Sequence, residues 1–90
     1  MPYYKILFNS AIKKAFIRTD KCPLNENGIV DVIETCSKCN MCLGINKRGR
    51  LVCQHNEKNI RISEIVCGVI KPDYKWIHEK VLKLRRMRRC

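Results

Sequence analysis

Ninety residues with 19 Lys and Arg against 8 Asp and Glu carry a formal charge of +11. The length allows one small domain whose modest core needs a staple such as a metal, a disulfide or a partner, and no apolar run approaches the ~20 residues of a spanning helix, so no membrane is expected as partner. Solubility asks for a net charge of only about 2–8, so the surplus points to a polyanionic partner.

Taken in chain order, Tyr3, Tyr4, Ile6, Leu7 and Phe8 form a short apolar run of strand-like composition. Two continuations are open. Asn9-Ser10 caps a short helix with Ala11, Ile12, Ala15 and Phe16 on one face, or Lys14–Thr19 returns as the second strand of a hairpin and delivers Cys22. The β propensity of Phe16, Ile17 and Thr19 favours the hairpin. No secretory signal is legible in Met1–Arg18, where Lys5, Lys13 and Lys14 interrupt the apolar residues, and a cytoplasmic location is expected.

Cys22-Pro23 opens a turn, and Asn27-Gly28 supplies the turn signal of the loop that follows. Ile29–Ile33 reads as a short strand leading into Cys36-Ser-Lys-Cys39-Asn-Met-Cys42. Leu43–Cys53 reads as a hairpin with Lys47, Arg48, Gly49 and Arg50 at its tip, and Asn59–Ile62 as a further edge strand. After Ser63 an apolar segment containing Cys67 is broken by Gly68 and ended by Lys71-Pro72. Asp73 is a good helix N-cap. Beyond it Tyr74, Ile77, Val81, Leu84 and Arg88 recur at three- and four-residue steps, which is the strongest helical pattern in the chain. The expected fold is small α+β: short antiparallel strands stapled by a metal site in the manner of a zinc ribbon, with a long C-terminal amphipathic helix. One domain spans 1–90, with a metal-stapled β-rich part at 1–62 and a helical basic part at 63–90.

Seven cysteines in so short a chain cannot all pair within it, and in a reducing compartment such clusters serve as metal ligands more often than as disulfides. Zinc takes four ligands in a tetrahedron. Cys36 and Cys39 make the close pair, Cys22 arrives from the N-terminal side, and Cys53 returns on the hairpin. The rival is a [4Fe–4S] cluster on Cys36, Cys39, Cys42 and either Cys22 or Cys53, since a Cys-x-x-Cys-x-x-Cys run and a proline after a distal cysteine are both ferredoxin habits. Cys42 decides between them. Cys22-Pro23, Val30-Asp31-Val32, Cys36-x-x-Cys39, Gly44-Ile45 and Val52-Cys53 together resemble a small four-cysteine metal-binding module of bacterial, archaeal and mobile-element proteins. The resemblance covers Cys22 to about His55. It implies four ligating cysteines, with Cys42 extra at a position often aromatic in similar proteins.

Other candidates have plainer readings. His55 suits the surface better than a ligand role, Cys67 reads as a buried small hydrophobe, Cys90 as a terminal thiol, and His78 as a half-buried packing residue. No nucleophile with an orienting base, no phosphate-cradling glycine loop and no deaminase signature is present, so an enzyme is not expected. The basic residues instead suggest a nucleic-acid contact: Lys47, Arg48 and Arg50 on the hairpin tip, and Lys83, Arg85, Arg86, Arg88 and Arg89 at the end of the helix. One or two cations would complement a helix C-terminus; four arginines exceed that need and fork well on phosphate. The leading expectation is a metal-stapled DNA- or RNA-binding accessory factor of a phage or mobile element. The alternatives are an adaptor or inhibitor that docks on a larger nucleic-acid machine through Tyr74, Ile77, Val81 and Leu84 of helix 73–90, and an iron–sulfur protein with a redox or structural cluster.

Overall fold

The computed structural model describes residues 3–54, 63 and 65–87. The chain is a small α+β protein of two antiparallel sheets and one C-terminal helix. In order it runs β1 (Tyr3–Lys5), β2 (Leu7–Asn9), β3 (Lys14–Arg18), β4 (Ile29–Asp31), a 3₁₀ turn at Cys36–Lys38, β5 (Cys42–Asn46), β6 (Arg50–Cys53), β7 (Ile65–Cys67) and α1 (Tyr74–Met87). The first sheet has the order β1-β6-β5-β7 and the second β2-β3-β4, and every neighbouring pair is antiparallel.

The apolar run at the N-terminus divides between the sheets. Tyr3–Lys5 pairs with β6, and Leu7–Asn9 pairs with β3. Ile6 lies between them, belongs to neither strand, and is buried at 1% exposure. A strand that changes sheets makes a corner of this kind. The hairpin alternative for the next segment is the one observed, with Lys14–Arg18 as its second strand and no helix at Asn9–Phe16. Along β3, Ala15 and Ile17 are buried while Arg18 is exposed, the alternation of a strand with one covered face.

The strand expected at Ile29–Ile33 ends earlier, at Asp31. The Asp31 side chain explains this, because its Oδ1 accepts from the Ile33 and Glu34 backbone N–H groups at 2.9 and 3.0 Å and turns the chain there. Asn27 and Gly28 both have positive φ, 56° and 79°, as a two-residue primed turn requires. Beyond residue 62 the expectation of helix alone is corrected, since Ile65–Cys67 adds a fourth strand to the first sheet beside β5. Asn59–Ile62, expected as an edge strand, lies outside the described residues.

Helix α1 begins where Asp73 caps it: the Trp76 N–H donates to Asp73 Oδ1 at 2.7 Å. Ile77, Val81 and Leu84 are buried together with Ile6, Ala15, Ile17, Val30, Val32, Ile45 and Leu51 in one core shared by both sheets and the helix. Phe8 of β2 meets Tyr74 and His78 of α1 edge-on, with ring centroids 5.9 and 4.7 Å apart. His78 is thus the half-buried packing residue its position suggested. Among the described residues no helix is long and apolar enough to cross a membrane.

Candidate metal centre and basic surface

The Cys36–Cys42 run is built from two successive tight turns. The Cys39 N–H donates to the Cys36 carbonyl at 3.2 Å, and the Cys42 N–H donates to the Cys39 carbonyl at 3.1 Å. Turns closed at i to i+3 stack side chains three residues apart, which is the local reason the spacing matters. Cys42 then enters β5 directly opposite Cys53 of β6, and the Gln54 N–H to Met41 carbonyl bond, 2.8 Å, closes the pair beyond them. Cys22 is placed by its own loop, where its carbonyl accepts from the Asn25 backbone N–H at 3.1 Å and from Asn25 Nδ2 at 2.5 Å.

These elements bring Cys22, Cys36, Cys39, Cys42 and Cys53 to the wall of one small cavity of about 10 Å³, completed by Tyr4, Ile17, Thr19 and Thr35. Among the described residues no group of three or more His, Cys, Asp or Glu side chains stands ready-set as metal ligands. Cys36 is central to the five cysteines. Burial drives its thiol pKa far above the ordinary range, and the neighbouring Cys42, Cys53, Cys22 and Cys39 add to the rise. Burial likewise pushes Cys42 up to about 11, with Cys53 and Cys39 contributing, against a lowering by a backbone hydrogen bond from Gly44. A divalent ion among these thiols would favour their ionised, ligating form. The donor set therefore fits a soft divalent metal. Cys42, set apart from the ligands by the module resemblance, lines the same cavity as the other four. Tyr4, Thr19 and Thr35 carry no ligand-type signal in the sequence and join the wall through tertiary packing alone.

His55 and Cys90 lie outside the described residues, as does the side chain of Cys67. Arg88 and Arg89 lie outside them too. The remaining basic residues divide by environment: Lys47, Arg48, Lys83 and Arg86 are exposed, whereas Arg50 and Arg85 are half-buried. Arg85 also has a structural contact. Its Nη2 donates to the Ile6 carbonyl at 3.3 Å, tying α1 to the corner between the sheets.

The hairpin tip does not project as a free finger. A Cβ placed on Gly49 would lie 3.0 Å from the Val81 carbonyl oxygen and 3.1 Å from Arg85 Cγ, so the tip is seated on α1. The close approach that Gly49 permits is to the chain's own helix. Asn46, a buried polar residue at 5% exposure, sets the tip's shape, with Oδ1 accepting from the Arg48 and Arg50 backbone N–H groups, both at 3.0 Å. Burial of such a side chain demands satisfied hydrogen bonds. The apolar face of α1 expected to dock on a partner is committed internally, because Ile77, Val81 and Leu84 are buried in the chain's own core.

No protein-family model matches this chain, and no curated protein and no solved structure matches it either.

Proposed function

We propose that the chain is a metal-stapled nucleic-acid-binding protein. In this reading Cys22, Cys36, Cys39 and Cys53 hold one zinc ion, and the basic face of the hairpin tip and α1 lies along a phosphate backbone. The observation that carries the nucleic-acid half is the seating of Gly49 on α1 between Val81 and Arg85. That contact supports reading Lys47 and Arg48 of the tip together with Arg85 and Arg86 of the helix, far apart in sequence, as one cationic track. Zinc is preferred to a [4Fe–4S] cluster because the module resemblance leaves Cys42 outside the ligand set, and a cluster on the Cys36–Cys42 run would need it. Bound zinc would supply structural free energy, ~10–16 kcal/mol in zinc-finger peptides, and no open position for chemistry. The resemblance to the four-cysteine module of mobile-element proteins agrees with an accessory role for a phage or mobile element.

Two measurements test this reading. Elemental analysis of untagged protein should find one zinc per chain; a brown sample with iron and sulfide and little zinc would replace zinc by a cluster. Affinity for DNA and RNA should fall steeply with salt, log K decreasing with log salt by about 0.7–0.9 per phosphate contacted. Affinity indifferent to salt, and to the combined Lys47, Arg48, Lys83 and Arg86→Ala substitutions, would sink the nucleic-acid reading.

A further inference from the structure

Three cations meet where the first sheet abuts α1. Lys5 of β1 and Arg50 of β6 are directly opposed in register. Directly opposed residues of an antiparallel pair share a face, with Cβ atoms about 4.5–5.5 Å apart. Arg85 reaches the same edge from the helix. It donates to the carbonyl of Ile6, the residue after Lys5, and its Cγ lies against Gly49, the residue before Arg50. The charge of Arg50 acts on the Arg85 guanidinium, adding to burial in lowering its pKa.

Among the described residues no ion pair involves Lys5, Arg50 or Arg85. Among the described residues the carboxylates in ion pairs are Asp31 and Glu34, both with Lys14 of the second sheet, at 3.4 and 3.6 Å, and Asp73 caps the far end of α1. Like charges set opposite one another on a sheet destabilise it, and a half-buried guanidinium has also lost part of its hydration. Arg85 has five N–H donors, and one hydrogen bond to the chain holds it in place. A fixed guanidinium, a second guanidinium beside it and an ammonium group make the donor set of a phosphate site, since arginine forks match phosphate oxygens and lysine adds a point charge.

We propose that Lys5, Arg50 and Arg85 form a single phosphate-binding site at the seam of β1, β6 and α1, which anchors one backbone phosphate of a bound nucleic acid. The site rests on the nucleic-acid reading above and sharpens it. Lys47 and Arg48 at the adjoining tip extend the cationic track, while the seam sets its register. Lys5 is the new member, placed there by strand pairing alone.

Anchoring and stability should respond in opposite directions. In the zinc-loaded full chain, Arg50→Gln and Lys5→Gln relieve the repulsion, so each should keep or raise the melting temperature. Each should also weaken binding of a short oligonucleotide on the order of tenfold and reduce the salt slope by about one phosphate. Lys75→Gln, an exposed charge on the first turn of α1, removes the same charge away from the seam and should change affinity by much less. Pyrophosphate should compete with the oligonucleotide on the native chain and raise its melting temperature, but should not stabilise the Lys5→Gln/Arg50→Gln double variant. Oligonucleotide binding that is undiminished in both single variants would overturn the site while leaving the nucleic-acid reading standing. Failure of the native chain to bind any oligonucleotide would remove that reading, and stabilisation by pyrophosphate in that case would mark a site for free phosphate instead, overturning the backbone assignment.

Discussion

Cys36 is affected by all four other cavity cysteines, whereas the module resemblance leaves Cys42 outside the ligand set, so the two residues should differ when replaced. Cys36→Ser should abolish stoichiometric zinc, whereas Cys42→Ser should retain one zinc per chain. Metal content by elemental analysis checks both, and loss of zinc from Cys42→Ser would make Cys42 a ligand. The thiols also impose a pH dependence on the metal-free chain. Cys42 ionises at an ordinary value of 9.0 when unfolded and at about 11 when folded. Below pH 9 both forms hold the proton and nothing is lost. Between pH 9 and about 11 the unfolded chain releases its proton first, so stability should fall as pH rises through that window. Denaturant titrations of the metal-free protein at pH 8 and pH 10.5 would show it, and Cys42→Ser should lessen the fall without abolishing it, because the raised thiol of Cys36 contributes in the same direction. The two cysteines three residues either side of Cys39 were legible as a cluster because tight turns are local. The sequence offered Cys42 beside either Cys22 or Cys53 only as one alternative, and that both line the wall with it depends on tertiary packing.

Hairpin β5–β6 and helix α1 are the elements whose contact matters most. Gly49 has φ +76° and a Cβ there would press on the Val81 carbonyl at 3.0 Å, so Gly49→Ala combines backbone strain with a clash against backbone that cannot swing aside. It should destabilise the fold by about 1–3 kcal/mol, measured by denaturant unfolding. It should also weaken oligonucleotide binding more than the charge-neutral substitution would by itself explain, because the tip is lifted from α1. Helix α1 and its Asp73 cap could be read from the sequence: periodicity and capping each depend on a few consecutive residues. Strand β7 could not, because Ile65–Cys67 is short and becomes a strand by pairing with β5. The N-terminal run was legible as extended chain, but its division at Ile6 was not. Only the presence of two sheets to either side makes a buried corner there.

For the whole molecule, one core serves both sheets and the helix, and the sulfur cavity lies where β6, the Cys36–Cys42 turns and the Cys22 loop meet. If zinc supplies the staple, a strong chelator should lower the melting temperature sharply or abolish cooperative unfolding, and added zinc should restore it. Circular dichroism melts with and without chelator check this; an unchanged transition would mean that the hydrophobic core suffices. Sequence by itself determined the small α+β class, the excess of positive charge, the turn at Asn27-Gly28, the close cysteine run and the capped helix. Each of these follows from composition or from interactions across a handful of residues. Tertiary structure alone decided that five thiols share one cavity, that the hairpin tip rests on α1, and that Lys5, Arg50 and Arg85 meet. Those juxtapositions join residues up to eighty positions apart, and burying Ile6, Leu51 and Val81 in a common core is what brings their neighbours together.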